Sequence, residues 1–519
     1  MDFVKQYRID IVILIFCLGA SFFLYRKNIP TDYFGYDEAD YMYAASKGLC
    51  ANYIDRNTIP FATFIEQGLN KGLKKEKRAS LSEFLRGSDD ITFYRHYHGP
   101  LYFYFLSLTY SLSGKSEFLI RWSSLFFWIA SVAITYMGCL FLLGKAGRRS
   151  AVLASAFLLF STTNIKTCTQ VTPHGLYVLT VIVSLLLISK FLKTKQLIFL
   201  YLATVTTALA FLTIEYALLL LLTFISCIWL QREQAFSDLS LKELWFRAVF
   251  IPAGLLVGTV FVLWPAAWLK MSLLKNYIFF AYFTLIRGGE YGAQPFWQVW
   301  LSRFWHSPVE YILVVPAIGI ALFKLKRHKW YLPFLIYPFL VFISTFRNTS
   351  TSPTYISSLL PPLYILSGIV IADLLGTVST RKRTFAGIFI VLGLLGSFFF
   401  RHYFGISQEK PEQNLKEVVK FVERNELHNG KTLVDREFIP TLHYYFPAKS
   451  LPSYRKGDET FDTIITKLRA NSYTGVIFSA DGDRVAFEKW LQRHFVFNAN
   501  FIATYNNSNV IHYKLEPVK

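Results

Sequence analysis

Charge is scarce in this chain. Asp, Glu, Lys and Arg make up 17% of its 519 residues, while 53% are hydrophobic and 18% aromatic. An ordinary soluble protein is about a quarter charged, so a soluble enzyme of several domains is excluded. Acid is scarcer than base, with 34 Asp plus Glu against 54 Lys plus Arg and a formal net charge of +20. The five cysteines show neither metal-ligand spacing nor the density of a disulfide framework. Cys17, Cys139 and Cys227 sit in apolar runs as small core residues, and a bridge between Cys50 and Cys168 stays open. No Ala-x-Ala site follows the first apolar run, Ile9 to Tyr25; Arg26, Lys27 and Asn28 come next. That run therefore reads as a span rather than a cleaved signal. Internal repeats and low-complexity linkers are also missing.

What the chain has in quantity is apolar runs of bilayer length. They start near Ile9, Phe118, Ser150, His174, Gln196, Glu215, Phe246, Pro308, Trp330, Tyr355 and Thr384. The expected class is a polytopic α-helical membrane protein with about eleven spans. Pro100 to Ser113, PLYFYFLSLTYSLS, is apolar but short. Charge decides its place. If it does not cross, and the N-terminus with Lys5 and Arg8 is cytoplasmic, every second loop is basic. The inner loops then carry Lys145, Arg148 and Arg149; Lys190, Lys193 and Lys195; Arg232, Lys242 and Arg247; Lys324, Lys326, Arg327 and Lys329; and Arg381, Lys382 and Arg383. The short outer connections carry only Lys166 and Arg347. If it crossed, all the basic loops would move outside, against the positive-inside rule. Pro100 to Ser113 is thus expected as a juxtamembrane helix on the outer surface. The same rule accounts for the +20 without a nucleic-acid partner.

Three sizeable regions then face outward: residues 26–117, residues 268–307, and the tail from about residue 402 to 519. The tail mixes charge with strand-like TGVIFSA (Thr474 to Ala480) and helix-like LKEVVKFVERN (Leu415 to Asn425) and RVAFEKWLQRHF (Arg484 to Phe495). Alternating strand and helix signals predict a small soluble α/β domain over 402–519, following a membrane domain over 1–401.

Ionisable residues gather at the outer ends of the expected spans, where they are costly and therefore informative. YFGYDEADYMYAASKGL (Tyr33 to Leu49) brings Asp37, Glu38 and Asp40 to the start of an amphipathic helix. Carboxylates commonly cap helices, but with two adjacent, one can cap while the other faces a cleft. RHYHGPLYFYF (Arg95 to Phe105) places His96 and His98 just before Pro100. At the same level come Arg121; Gln170, Thr172 and His174; Glu215 with Tyr216; Arg287, Glu290 and Tyr291; and Arg347 with Tyr355. Acid, imidazole and guanidinium groups from separate spans converge on one face, as a site for a charged substrate requires.

DEADYMYAA, HGPLYFYFLSL with a following FLIRW, QVTPHGLYVLT and SPTYISSLLPPLYILSG resemble, in this order, the GT-C membrane glycosyltransferases. The nearest branches are the dolichyl-phosphate-mannose protein mannosyltransferase-like enzymes and the bacterial undecaprenyl-phosphate aminoarabinose transferase for lipid A. The resemblance covers roughly residues 10–375. It implies a GT-C fold, a polyprenyl-phosphate sugar donor and a lipid, glycan or protein acceptor in the cell envelope. It also implies catalysis by Asp37 with Glu38 beside it. His98 takes the basic position of a Lys/His-Pro-Pro-Leu motif in which Gly99 replaces the usual Pro, and Arg121 matches an Arg after the interfacial helix. His174 stands where an Asp is common. Thr351 stands where the aminoarabinose branch has a Lys before its Pro-Thr-Tyr-Ile motif, leaving Arg347 to supply that cation.

A phosphate leaving group needs its charge balanced more than it needs an acid. Arg287 and Arg347 are the candidates for the donor phosphate, with His98 and Arg121 secondary and His174, Glu215 and Tyr355 completing the substrate-binding set. A divalent ion between Asp37, Glu38 and His98 is chemically feasible but has no ligand signature, and no other cofactor is implied. The expected location is a bacterial inner membrane, with the N-terminus cytoplasmic and the active face and tail periplasmic. The alternative is a lipid-linked precursor flippase or transporter, which asks for paired repeats and polar sites at the bilayer midplane. The prolines there, Pro316 and Pro333, bring no charge.

Overall fold

The computed structural model describes residues 2–46, 98–161, 168–235, 240–265, 277, 281, 308–346, 357–404, 414–427, 431–446, 452–454, 460–480, 483–505 and 508–517. In chain order the helices are α1 (Asp2–Tyr25), α2 (Tyr36–Ser46), α3 (Pro100–Ser113), α4 (Glu117–Leu143), α5 (Arg148–Leu159), α6 (His174–Thr194), α7 (Leu197–Phe211), α8 (Ala217–Ala235), α9 (Ile251–Leu263), α10 (Pro308–Lys324), α11 (Leu332–Phe346), α12 (Leu360–Gly376), α13 (Thr380–Phe404), α14 (Leu415–Arg424), α15 (Ile439–Tyr445), α16 (Phe461–Ala470) and α17 (Arg484–Leu491). The strands are β1 (Thr432–Asp435), β2 (Ser453–Tyr454), β3 (Gly475–Ala480), β4 (Phe495–Tyr505) and β5 (Ser508–Pro517).

A helix stands in each stretch expected to span. Among the described residues, five stretches are long and apolar enough to cross a bilayer: Arg8–Asn28, Glu117–Leu159, His174–Thr194, Lys242–Leu263 and Thr380–Phe400. Glu117–Leu159, at 43 residues, carries two expected spans, α4 and α5, joined by a tight 3-10 turn over Gly144–Gly147. Leu197–Phe211, Ala217–Arg232, Lys329–Ser344 and Leu360–Gly376 are shorter apolar helices. Pro316 lies inside α10, whereas Pro333 is the second residue of α11, where a proline costs no hydrogen bond; the interior proline of α11 is Pro338.

The chain forms two compact units. One comprises Met1–Ile29, Leu49–Phe105 and Arg121–Tyr403; the other comprises Pro30–Gly48, Leu106–Ile120 and Phe404–Lys519. In the first, α5 lies along α12, α7 packs on α6 and α9, α10 on α12, and α8 on α11. Without a hydrophobic drive between helices in lipid, small residues let backbones close up. Gly368 on α12 shows it, since a Cβ there would lie 2.6 Å from the Ala154 amide nitrogen on α5. Phe16, Phe323, Phe385 and Phe389 point outward, a surface suited to acyl chains rather than water.

Polar contacts sort the helix ends of this unit into two sets. Arg148, opening α5, holds Asp10 of α1 in a bidentate pair (2.7 and 2.8 Å), and Tyr136 of α4 donates to the same carboxylate at 2.8 Å. Lys193, near the end of α6, donates to the Leu142 carbonyl ending α4 (2.7 Å) and lies over the Trp330 ring; Lys324 ends α10 paired with Asp373 of α12. These are the cations that the loop alternation places on one side. The opposite ends meet elsewhere. Tyr25, last in α1, donates to the carbonyls of Leu159 and Ser161 beyond α5 (2.8 and 3.1 Å). The Ser161 hydroxyl bonds the Tyr364 hydroxyl of α12 (2.9 Å), which in turn donates to Glu310 at the start of α10.

The second unit is built on a five-stranded sheet in the order β2-β1-β3-β5-β4. β1 is parallel to β2 and β3, and β5 is antiparallel to β3 and β4. Both faces are covered, so the central strand β3, GVIFSA, is buried throughout. Val476 and Phe478 pack with Ile464, Ile465 and Leu468 of α16 and Phe487 and Leu491 of α17. Ile477 and Val510 pack with Val418 and Val422 of α14 and Leu442 of α15. The expected strand at Thr474–Ala480 and helix at Leu415–Asn425 are found to within a residue. The helix expected through Phe495 instead stops at Leu491, and Phe495 opens β4. There a strand pairing outcompetes a local periodicity that reads as helical.

Candidate functional site

In the first unit, His98 and Glu215 form a buried pair. His98 Nδ1 lies 2.9 Å from Glu215 Oε2, and both residues are less than 10% exposed. Three local features bring them together. Pro100 opens α3, where its missing amide costs nothing. Leu101 N–H, left without an intrahelical acceptor in that first turn, donates to Leu212 O at 2.9 Å, just past the end of α7. Gly99 permits the approach, because a Cβ there would lie 2.2 Å from Leu212 O and 2.3 Å from its carbonyl carbon. This is why glycine stands in the HGPL motif. Glu215 follows three residues after Leu212 and so faces the imidazole. A polar pair withdrawn from solvent in this way rarely raises stability over apolar packing, which makes it a candidate for function.

Arg121, in the second turn of α4, is fully buried. His174 opens α6, half-buried, with its amide donating to Thr172 Oγ1 at 3.4 Å. Tyr177, one turn on, meets Tyr337 of α11 hydroxyl to hydroxyl at 2.9 Å. Sequence reasoning missed Glu310, its partner Tyr364, and Ser161 and Tyr25, which extend that hydrogen-bond chain. Glu310 is 4% exposed in the first turn of α10. The rule that found Glu215, an ionisable group at the outer end of a span, also reaches Glu310 in SPVEYIL. Tyr364 lies nine residues past Tyr355 in the same motif-bearing stretch. Arg287, Arg347 and Tyr355 lie outside the described residues, as does Cys50.

In the second unit, α2 carries the acidic patch. Asp37 and Glu38 stand in its first turn, where the helix dipole favours carboxylates. Asp37 is exposed and Glu38 is 8% exposed, while Ala39, Met42, Ala44 and Ala45 are buried beneath. The adjacent pair thus has one exposed and one buried carboxylate. The helix packs against α15, and Ser107 of α3 donates to Ala45 O at 2.9 Å. Tyr445 of α15 donates to Glu117 at 2.7 Å. Burial, then that carboxylate, push its phenol well above the usual tyrosine range, so it stays a neutral donor. Among the described residues no group of three His, Cys, Asp or Glu side chains is placed to hold a metal ion.

Residues 97–264, which contain His98, Arg121, His174 and Glu215, match the family described as dolichyl-phosphate-mannose-protein mannosyltransferase. Among solved structures, ArnT from Cupriavidus metallidurans bound to undecaprenyl phosphate aligns over 98% of both chains at 11% identity, with a TM-score of 0.60. The Archaeoglobus fulgidus oligosaccharyltransferase AglB, in complex with an inhibitory peptide and a dolichol-phosphate, aligns over 99% of this chain and 75% of that chain at 11% identity, with a TM-score of 0.57. This protein has the GT-C fold. The structural alignment covers nearly the whole chain, tail included, beyond the stretch of roughly residues 10–375 over which the motifs run. At such identity the structural likeness establishes the fold, and the family match is confined to residues 97–264. No curated protein matches the sequence.

Proposed function

We propose that this GT-C protein is an integral-membrane glycosyltransferase that moves a sugar from a polyprenyl-phosphate donor to a lipid, glycan or protein acceptor, with inversion. The observation that carries the reading is the segregation of polar chemistry in the membrane unit. One set of helix ends is tied by the basic loop residues, and the other holds a buried His98–Glu215 pair and a buried Glu310 where apolar side chains would suffice. ArnT, solved with undecaprenyl phosphate, and AglB, solved with a dolichol-phosphate, support a lipid-phosphate donor. By the positive-inside rule the basic ends belong on the cytoplasmic side of an inner membrane and the His98–Glu215 ends on the periplasmic side.

In this mechanism the acceptor oxygen attacks the sugar's anomeric carbon from the face opposite the phosphate. The bond from that carbon to the phosphate oxygen breaks, and polyprenyl phosphate leaves with the electron pair. Asp37 accepts the acceptor's proton, with Glu38 beside it. Arg287, Arg347 and Arg121 balance the phosphate charge, His98 held by Glu215 lends a further donor, and His174 and Tyr355 contact substrate.

The test is mass spectrometry of lipids and envelope glycans from cells carrying the wild-type protein or Asp37→Asn, which removes charge and basicity at nearly constant volume. A glycan short by one sugar, with its polyprenyl-phosphate donor accumulating, is expected in the variant. Unchanged glycans, with a lipid-linked precursor displaced across the membrane instead, would replace this reading with a flippase.

A further inference from the structure

The tail holds the segment that leads into α2 at every residue from Asp32 to Phe34. Asp32 accepts from the Leu415 and Lys416 amides at 2.9 and 3.0 Å, capping the start of α14, and from its neighbour Tyr33 N–H at 2.8 Å. The Tyr33 ring stacks on Tyr445, centroids 4.4 Å apart and planes within 20°. Phe34 is fully buried; its amide donates to Tyr445 Oη at 3.2 Å and its carbonyl accepts from Thr441 Oγ1 at 3.0 Å. Its ring meets Tyr444 edge-on at 5.6 Å. Further along α2, Tyr43 stacks on His443 at 5.0 Å. Leu415, Thr441, His443, Tyr444 and Tyr445 all come from α14 and α15, on one face of the tail sheet.

Asp37 lies three positions after Phe34, and the Ala39 N–H to Gly35 O bond at 2.9 Å closes the first turn of α2 around it. Even fully extended, three residues reach only about 10 Å, and here the path is partly wound. The position of the Asp37 carboxylate is therefore set from the tail. We propose that the tail is a positioning element for the acidic helix, with Tyr445 as its central positioning residue. Tyr445 Oη accepts from Phe34 and donates to Glu117 while its ring carries Tyr33, so one side chain joins the lead-in, α15 and the start of α4. The catalytic consequence rests on the transferase reading above; the anchoring does not. A tail that merely covered a site would not need both polar groups of the Phe34 peptide bonded to α15.

The experiment uses the full chain in lipid nanodiscs. Tyr445→Phe keeps the stack and removes two hydrogen bonds. Hydrogen exchange of the peptide covering residues 33–40 is expected to rise on the order of tenfold, while β3 and α16 keep their protection. Turnover is expected to fall on the order of tenfold with KM for the polyprenyl-phosphate donor unchanged, because a displaced base costs rate rather than donor binding. Thr441→Val, removing the other Phe34 bond, acts in the same direction. Tyr513→Phe is the control: it removes a bond to Glu488 of 3.0 Å on the opposite face of the sheet and is expected to leave both readouts at wild-type values. Unchanged exchange at residues 33–40 in Tyr445→Phe would overturn the anchoring. Raised exchange with unchanged turnover would overturn the positioning role. If the wild-type chain transferred no sugar, the transferase reading would fall, and the exchange result would still decide whether the tail anchors α2.

Discussion

Replacing Gly99 by Ala tests how the His98–Glu215 pair is assembled. The added methyl carbon would sit 2.2 Å from Leu212 O, 2.3 Å from its carbonyl carbon and 2.8 Å from its Cα. All three are backbone atoms, so no side-chain rotation relieves the contact. To reach the ordinary van der Waals limit of 3.4 Å the methyl must retreat by about 1.2 Å from the carbonyl oxygen. A shift of that size breaks the 2.9 Å bond from Leu101 N–H to Leu212 O and opens the 2.9 Å contact between His98 and Glu215. Overpacking of this kind costs about 1–3 kcal/mol, and the lost hydrogen bond about 1 kcal/mol more. Gly99→Ala is thus expected to destabilise the membrane unit by about 2–4 kcal/mol, seen as a lower melting temperature in detergent, and to cut transfer at least tenfold. The decisive measurement is a cycle with Glu215→Gln. Because both changes act on one pair, their effects on turnover should fall well short of additive. A Gly99→Ala protein with wild-type melting and turnover, or full additivity in the cycle, would refute the argument.

Glu215→Ala removes the acceptor of a buried imidazole bond and is expected to cost about 1–3 kcal/mol; Glu215→Gln, which keeps an acceptor, should retain most of the stability and lose turnover, as separate melting and transfer measurements would show. His512 on β5 is 6% exposed, with Phe421 against its ring and no hydrogen-bond partner for either ring nitrogen among the described residues. Burial, then the Lys514 charge, push its pKa down to about 4. A neutral imidazole in the fold that binds a proton on unfolding lowers stability as pH falls from about 6.5 towards about 4, by about 3 kcal/mol in all. Thermal melting of the tail should fall over that window, and His512→Leu should remove the fall. A cysteine at Lys145 should resist an impermeant thiol reagent applied from the outside of intact cells; labelling there would show that Pro100–Ser113 crosses the bilayer.

Most of the membrane unit was legible because its determinants are local. An apolar run becomes a helix in lipid since each backbone amide must bond within its own segment, and Lys and Arg mark one set of ends. A helix accordingly stands at every stretch read as a span, and α3 matches Pro100–Ser113 to the residue. Where patterns are ambiguous, local reading failed. Arg484–Phe495 carries a helical period, yet pairing with β5 claims Phe495, a choice made by residues more than twenty positions away.

The site divides in the same way. That Asp37, Glu38, His98, Arg121, His174 and Glu215 are unusual followed from sequence, because ionisable groups at bilayer depth are costly wherever the chain leads. Their partners did not follow. The His98–Glu215 pair joins residues 117 positions apart, and Glu310 bonds Tyr364, which bonds Ser161, whose carbonyl accepts from Tyr25. The hold of α15 on the lead-in to α2 spans more than four hundred positions. Periodicity and charge bias act over one helical turn or one loop, so the sequence by itself determined which segments are helices, which loops share a side and which residues are too polar for their place. Which of those residues touch depends on helix packing, through approaches such as Gly368 on Ala154 and Gly99 on Leu212. Only the tertiary structure decided them, because such contacts arise when distant backbones close to within a few ångströms.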